Sequence, residues 1–457
     1  MKNGWQTMKL GDVCDFEGGS QPPKSEFIYE EKPGYVRFLQ IRDFGSDKNI
    51  TYIRQSKKNR LCNENDILIG RYGASVGKIL TDKSGAYNVA LMKTIPNLEV
   101  LDHSWFYNYL ISDEFQKPLL NVADRSAQAG FSKDDIYNFP VPVPPIAEQQ
   151  RIVGLLDEAF AGIATAKANS QKNLQNTRAL FESHLQSVFT QRVENGAEKT
   201  STKPKKRLDG RQIEATAIDD AELARLNAGY VTKTGGRDAT LRHIPGKLSL
   251  AVGMPSTGAR DRWGWAALTD LARLESGHTP SRKHPEYWGG SVAWIGIQDA
   301  RENHGKRITD TIQKTNELGI ANSSARVLPE NTVCLSRTAS VGYVVVMGRP
   351  MATSQDFVNW VCSPKLVPDF LKYLFLAERR EGLLRFASGA VHQTIYFPEA
   401  KAFHICYPDA DEQRRIVQQC DILAEETQRL ATLYERKLAA LEALKKSLLH
   451  QAFTGEL

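Results

Sequence analysis

Two patterns of apolar and polar positions alternate along the chain. The first consists of short β-branched and aromatic runs, such as Tyr35-Val36-Arg37-Phe38-Leu39, Asp66-Ile67-Leu68-Ile69 and Tyr343-Val344-Val345-Val346-Met347. Gly, Pro, Asn and Asp punctuate these runs, which predicts strands and turns over about 5–145 and 263–409. Helical patches at 105–120 and 370–386 make both regions mixed α and β. The second pattern, at 148–191 and 412–453, lacks internal proline and is rich in Ala, Leu, Gln, Glu, Lys and Arg. Within it Leu430, Leu433, Leu438, Leu441, Leu444 and Leu448 step mostly by three or four, the stripe of a helix that packs along its length. Each such helix would reach roughly 65 Å at 1.5 Å per residue. One helix cannot bury that stripe alone, so two predict an antiparallel pair acting as a spacer, with the segments around Ala159 and Leu423 side by side. The packing and partner-facing positions are expected at Ile152, Leu156, Leu180, Leu185, Ile416, Leu438, Leu441 and Leu444.

The patterns repeat. Trp5, Leu10, Asp12, Glu17, Gly19 and Pro22 recur 258 positions later as Trp263, Leu268, Asp270, Glu275, Gly277 and Pro280. Gly34, Val36, Ile41 and Asp43 return as Gly290, Val292, Ile297 and Asp299, and Ala-Ser-Val-Gly stands at both 74–77 and 339–342. Small changes of offset mark loop insertions. From Glu148, Gln149 and Arg151 to Leu185, Phe189 and Thr190 the offset is a constant 264, ending at Leu449, Phe453 and Thr454. A gapless match means that length is constrained, because one extra residue rotates the rest of a helix by about 100°. Between the repeats, 194–261 carries the basic run Lys203-Pro204-Lys205-Lys206-Arg207 with Thr, Gly and Asp clusters, and reads as a mobile tether with a short helix near 219–226.

Composition narrows the class. The 457 residues, 41% hydrophobic and 25% charged, suit a globular protein of several units. Fifty-nine basic against 53 acidic residues leave a net charge of +6, which permits nucleic-acid binding without requiring it. Cys14, Cys62, Cys334, Cys362, Cys406 and Cys420 are scattered, with neither C-x-x-C nor zinc-ligand spacing, and read as reduced and buried. The start Met1-Lys2-Asn3-Gly4-Trp5 has no leader character and no apolar run approaches a membrane span, so a cytoplasmic protein without membrane contact is expected.

Catalytic signatures fail on inspection. The segment 70–78 resembles a phosphate loop, but position 79 is Ile and the repeat puts Tyr343 where Lys78 stands; a strand-turn-strand with positive φ at Gly77 and Gly342 is expected instead. No Asp/Asn-Pro-Pro-Tyr/Phe tetrapeptide occurs to hold a flipped adenine. The recurring Asp12, Asp43, Asp270 and Asp299 sit at turns, where capping explains them without a metal. His278, His284 and His304 lack a fourth ligand and read as surface histidines.

Pro144-Pro145-Ile146-Ala147-Glu148-Gln149-Gln150-Arg151-Ile152-Val153 and Asp411-Glu412-Gln413-Arg414-Arg415-Ile416-Val417 resemble the P-P-L-x-E-Q-x-R-I-V signature that follows each target-recognition domain in specificity subunits of type I restriction-modification enzymes. The stretches 10–22 and 268–280 resemble the opening of such a domain, and Phe453-Thr454-Gly455-Glu456-Leu457 resembles the family's ending. The likeness spans nearly everything but the linker. It implies an α+β protein with target-recognition domains at 1–147 and 263–411, conserved spacer helices at 148–192 and 412–457 in an antiparallel coiled coil, and a linker at 193–262. It further implies that each domain reads half of a bipartite, asymmetric site on double-stranded DNA, and that the helices dock two modification subunits. Those subunits would use S-adenosylmethionine to methylate adenine, and two ATP-dependent restriction subunits would complete the complex. This chain would carry no catalytic residue, cofactor or metal of its own.

DNA readers use Arg, Lys, Asn and Gln on base edges and Lys, Arg, Ser and Thr on phosphates. Loop residues of those types are Lys24, Arg42, Arg71, Ser132 and Lys133 in the first module and Arg282, Gln298, Arg337, His392 and Gln393 in the second. Arg71 and Arg337 are alike in both modules and so suit backbone contact. Two other classes stay open on the sequence: a stand-alone DNA-binding regulator, and a self-sufficient restriction-methylation enzyme, which the missing motifs disfavour.

Overall fold

The computed structural model describes residues 4–124, 130–189, 251–252, 263–338, 340–384, 386–387, 393–401 and 403–457. The tether expected at 194–261, with its basic run and its helix near 219–226, lies outside them except for Ala251–Val252. That pair forms a strand parallel to His404–Tyr407, so part of the segment expected to be linker is bound into a sheet.

The chain divides into two compact units, one of residues 1–173 and 433–457, the other of 174–432. Each contains one module, the start of the long helix that follows it in sequence, and the end of the other long helix. In the first unit a four-stranded sheet runs in the order Cys14–Gly18, Leu91–Pro96, Leu68–Gly70, Ile79–Leu80, antiparallel throughout. A second sheet orders Tyr52–Arg54, Tyr35–Leu39, Gly85–Tyr87, Leu61–Cys62 and includes a parallel pairing of Phe38 with Ala86. Gln6–Lys9 pairs with Pro140–Val143 and so closes the module at its two ends.

The second unit repeats this plan. Ala272–Ser276, Phe357–Cys362, Val333–Ser336 and Val344–Met347 form the first sheet, to which Arg307–Ile308 adds an edge. Trp288–Ile295 lies between Gln313–Thr315 and Ala352–Thr353 in the next, again with one parallel pairing. Gly264–Ala267 and His404–Tyr407 close the module. Where the chain turns after Val76 and Val341, Gly77 and Gly342 adopt φ of 78° and 103°, the left-handed conformation that a side chain would strain.

The helical patch expected at 105–120 is two helices, His103–Ile111 and Asp113–Ala123, parted at Ser112 by extended backbone (ψ 159°). The buried Ser112 hydroxyl donates to the Tyr109 carbonyl at 2.7 Å and so closes the first helix. The patch expected at 370–386 is Pro368–Leu384, kinked at Arg379.

The two long helices run Ile146–Phe189 and Ala410–Thr454. Along the first, the less exposed positions Leu156, Ile163, Ser170, Thr177 and His184 interleave with Phe160, Lys167, Leu174, Phe181 and Val188, each series stepping by seven. Along the second, Cys420, Thr427, Tyr434, Leu441 and Leu448 interleave with Ala424, Ala431, Leu438, Lys445 and Ala452. This is the heptad seam of a coiled coil. Two of its buried hydroxyls bond within their own helices: Ser170 donates to the Ala166 carbonyl at 2.7 Å and Thr427 to that of Leu423 at 2.8 Å.

In the first unit the helices are antiparallel, since Lys167 pairs with Glu442, the Lys445 ammonium lies 4.8 Å from the Phe160 ring centroid, and Arg151 donates to the Leu457 carbonyl. The expected neighbour of the Ala159 segment is thereby corrected. Beside Ala159, Phe160 meets Lys445, near the C-terminal end of the second long helix. The leucine stripe also needs correction. Leu433 and Leu444 are 53% and 47% exposed and Leu180 is 53% exposed, whereas Ile152, Leu156, Leu185 and Ile416 are buried and Leu438 and Leu441 are partly so.

One aromatic arrangement occurs twice. Trp105 packs against Trp5 at 5.8 Å and against Phe453 at 4.5 Å in the first unit; Phe370 packs against Trp263 at 5.8 Å and Phe189 at 5.2 Å in the second. Phe189 and Phe453 are repeat equivalents, so each module's core is completed by the last turn of the helix that begins after the other module. Buried Gln149 fixes the start of its helix by donating to the Val100 and Pro144 carbonyls and accepting from the Asp102 amide. Gln413 does the same with Lys365, Pro408 and Val367.

Candidate nucleic-acid interface

The loops that carry the expected DNA-contacting residues hang on a scaffold that the two modules share. In the first, an ideal Cβ on Gly19 would lie 2.1 Å from the Asn88 carbonyl oxygen; in the second, one on Gly277 would lie 2.0 Å from that of Ser354. Only glycine lets these backbones approach so closely, which explains its recurrence. Asp43 and Asp299, both buried, cap the next turn: their Oδ2 atoms accept from the Gln40 amide at 2.6 Å and the Gly296 amide at 2.9 Å. The capping role expected of these two carboxylates is what the geometry shows.

Arg71 follows the strand Leu68–Gly70. Its amide donates to the Ala90 carbonyl at 2.9 Å, its Nε donates to the Phe131 carbonyl at 3.3 Å, and its guanidinium lies 5.0 Å from the Tyr72 ring centroid. Tyr72 in turn bridges Gly130. The loop so gathered continues into the short helix Lys133–Ile136, where Asp135 accepts from both the amide and the hydroxyl of Ser132 at 2.7 Å. Those bonds hold the Asp135 carboxyl below its ordinary pKa. Arg71, Ser132 and Lys133 therefore belong to one patch, with the Lys133 side chain exposed. Lys24, on the exposed turn Lys24–Glu26, and Arg42, whose Nη2 donates to Thr51 at 3.4 Å, have no contact with Arg71 among the described residues.

Arg337 is held in the same way by different neighbours. Its amide donates to the Asp356 carbonyl at 2.7 Å, its Nε to the Gln355 carbonyl at 3.0 Å, and its guanidinium lies 5.1 Å from the Phe397 ring centroid. Burial lowers its pKa from the ordinary arginine value. The Ile395 amide donates to the Arg337 carbonyl and Thr338 bonds Thr394 through their hydroxyls, so the exposed Gln393 is brought beside Arg337. His392 lies outside the described residues. Gln298, on the helix Ile297–Glu302, is exposed and donates to Glu302 at 3.0 Å. Arg282 lies across Trp288 and Trp294, 4.0 Å and 5.3 Å from their ring centroids.

An arginine tied at Nε presents Nη1 and Nη2 outward as a fixed fork, the geometry that clasps a phosphate or a base edge. Tyr72, Phe397, Gln355 and the two tryptophans belong to these patches without a signal in the sequence that points to them. No repeat offset or motif in the sequence singles out Trp288 and Trp294, and the unlike residues at 72 and 338 hide the shared tether. Among the described residues no group of three His, Cys, Asp or Glu side chains could hold a metal ion, and no helix is long and apolar enough to cross a membrane. His284 stacks on Tyr287 and bonds Glu286, while His304 accepts from the Val344 amide.

The family model described as type I restriction modification DNA specificity domain matches twice, over residues 2–176 and 261–441. The type I restriction enzyme MjaIX specificity subunit of Methanocaldococcus jannaschii is 31% identical over 159 residues, 34% of this chain and 36% of that relative, so the match spans about a third of its length. The HindI specificity subunit of Haemophilus influenzae is 22% identical over 398 residues, 82% of each chain. Among solved structures, a chain from work on complex assembly and conformational transition of the type I restriction-modification system aligns over 100% of this chain and 99% of its own, with TM-score 0.72 and 16% identity. The HsdS subunit from Thermoanaerobacter tengcongensis aligns over 100% and 98%, with TM-score 0.55 and 16% identity. At those identities the likeness speaks for the fold.

Proposed function

Because the chain belongs to the type I restriction-modification DNA specificity family, we propose that its modules read unlike halves of one split, non-palindromic site on double-stranded DNA. One observation carries this reading: the same tethered arginine, Arg71 or Arg337, stands on the same scaffold in both modules but among different neighbours. The shared fork suits the DNA backbone, which is alike everywhere, and the unlike residues around it suit base edges, which are not. The paired helices then govern which spacing between half-sites is accepted.

The chain itself supplies no reactive group in this reading. Two modification subunits using S-adenosylmethionine methylate adenine, and two ATP-dependent restriction subunits join them. Outward apolar side chains on the long helices, Leu155, Leu433 and Leu444 in the first unit and Leu180 and Ile422 in the second, offer the contact for the modification subunits. Large apolar groups exposed along a polar helix face suit a partner better than water.

Mapping methylated adenines in a host with and without this gene tests the proposal. Loss of a single split, asymmetric motif is expected. A palindromic motif, or no change in methylation, would refute it, and failure of methyltransferase subunits to copurify would favour a stand-alone regulator.

A further inference from the structure

Arg282 is held unlike any residue at the corresponding place in the first module. Its guanidinium carbon lies 4.0 Å from the Trp288 ring centroid and 5.3 Å from that of Trp294, and its Nη2 donates to Gln313 Oε1 at 2.7 Å. The two indoles are themselves fixed. They meet edge to face at 5.1 Å, and their Nε1 atoms donate to the Ser281 carbonyl at 3.4 Å and the His278 carbonyl at 3.1 Å. The segment 278–288 is thus stitched to the strand Trp288–Ile295, and the exposed guanidinium is held in position by two aromatic rings and by its bond to Gln313. The repeat puts Lys24 where Arg282 stands, on an exposed turn, with no aromatic ring against its ammonium among the described residues.

We propose that Arg282 is a base-reading residue of the second module and that the base it reads is guanine. The inference rests on the DNA-reading function argued above and adds a residue and a base to it. A phosphate accepts a point charge from many directions and needs no fixed plane, whereas O6 and N7 of guanine are met by two coplanar N–H donors at a fixed separation. Of the five N–H hydrogens of Arg282 one is committed to Gln313, and the flat remainder is preorganised, so little side-chain freedom is lost on contact. Lysine, a compact ammonium on a flexible stem, reaches O6 and N7 without a rigid planar fork and at a greater loss of side-chain freedom, so the first module should show a weaker preference for guanine at the position Lys24 reaches.

The test uses the full chain in complex with its modification subunits and a DNA library randomised in both halves of the mapped site, read by sequencing of bound molecules. Arg282→Ala should lose about 10- to 100-fold preference for one G·C pair in one half-site, with the other half-site unchanged, and Arg282→Lys, which keeps the charge but not the planar fork, should lose a smaller but measurable part of it. Trp288→Ala should lose part of that preference while keeping the charge. Circular dichroism and the thermal midpoint of each variant identify any loss caused by misfolding, and Arg282→Lys, which keeps both charge and stem, stands as the decisive variant. Equal weakening on every sequence with a salt slope lower by about one would identify a phosphate contact and overturn the proposal. An unchanged library profile would overturn it as well. If the wild-type complex selects no split site at all, it is the DNA-reading function that fails, and the two failures are told apart by that control.

Discussion

The two modules solve one folding problem with the same skeleton and then diverge at their tips. Gly19 and Gly277 allow the same close backbone approach, Asp43 and Asp299 cap the same turn, and Arg71 and Arg337 are tethered through the same nitrogen. Around that frame Arg282 stands where the first module has Lys24, Gln298 where it has Arg42 and Ser354 where it has Asn88, and among the described residues only the second module lays its cation against two tryptophans. The difference shows where constraint sits: residues that position backbone recur, and residues that end in solvent do not. A protein that holds two readers in like fashion while letting them read unlike sequences would have this distribution.

The likeness should break symmetrically. Phe453→Ala removes the ring that meets Trp105 and Phe189→Ala the one that meets Phe370, both from sites less than 6% exposed. Each should cost about 3–5 kcal/mol, the range for emptying a buried aromatic site. In urea unfolding followed by tryptophan fluorescence, each variant should loosen the unit its ring completes and leave the other transition in place. Loss of both transitions together would show that the cores are not independent.

That pairing shows what was legible beforehand. The duplication, the strands near 35–39 and 344–347, and the two long helices all follow from periodicity and self-similarity, because those patterns are local. The ends of the helices are not local. Nothing around Phe453 says that it lies against Trp105, since the partner is set by chain reversal over hundreds of residues. The spacing puts Leu433 and Leu444 into the packing stripe, because leucines at helical spacing usually point inward. The structure places Thr427, Ala431 and Ala452 in the seam instead, because close helix approach favours small side chains. For the candidate interface the loop residues could be named from residue type, but not the tether through Nε or the indole clamp, which depend on carbonyls and rings brought in from other strands.

A somewhat smaller effect sharpens the equivalence of the helix starts. Gln149→Leu and Gln413→Leu keep the volume but strip three hydrogen bonds each, leaving two carbonyls and one amide without their partner. About 2–3 kcal/mol of stability should be lost in either case. A difference of more than about 1 kcal/mol between the two variants, read from their denaturation midpoints, would mean that the two anchors are not equivalent.

For the shared arginines the readout is binding and the expected change is about tenfold. Arg71→Ala and Arg337→Ala should weaken the complex's affinity for specific and non-specific DNA alike, each lowering the salt slope by about one. If either variant instead altered the preferred sequence, that arginine would be a base reader, and the division between common frame and divergent tips would have to be redrawn.

The smallest effect separates the units by pH. Gln149 accepts from the Asp102 amide and Gln413 from that of Val367, so Asp369 of the second unit corresponds to Ser104 of the first. Burial alone would raise the Asp369 pKa, but Lys372 at 3.0 Å and Arg307 at 2.6 Å outweigh it and hold the carboxyl below the ordinary 3.8. A carboxyl depressed in the folded state adds stability above its unfolded pKa, and that stability is lost as pH falls through the lower folded value. Asp369→Asn should therefore lower the stability of the second unit by about 1 kcal/mol at pH 7, with the gap to wild type closing as pH falls below 3.8. The first unit, with a serine at that place, should show no such closing. A gap that persisted at pH 2 would assign the cost to lost packing and not to charge.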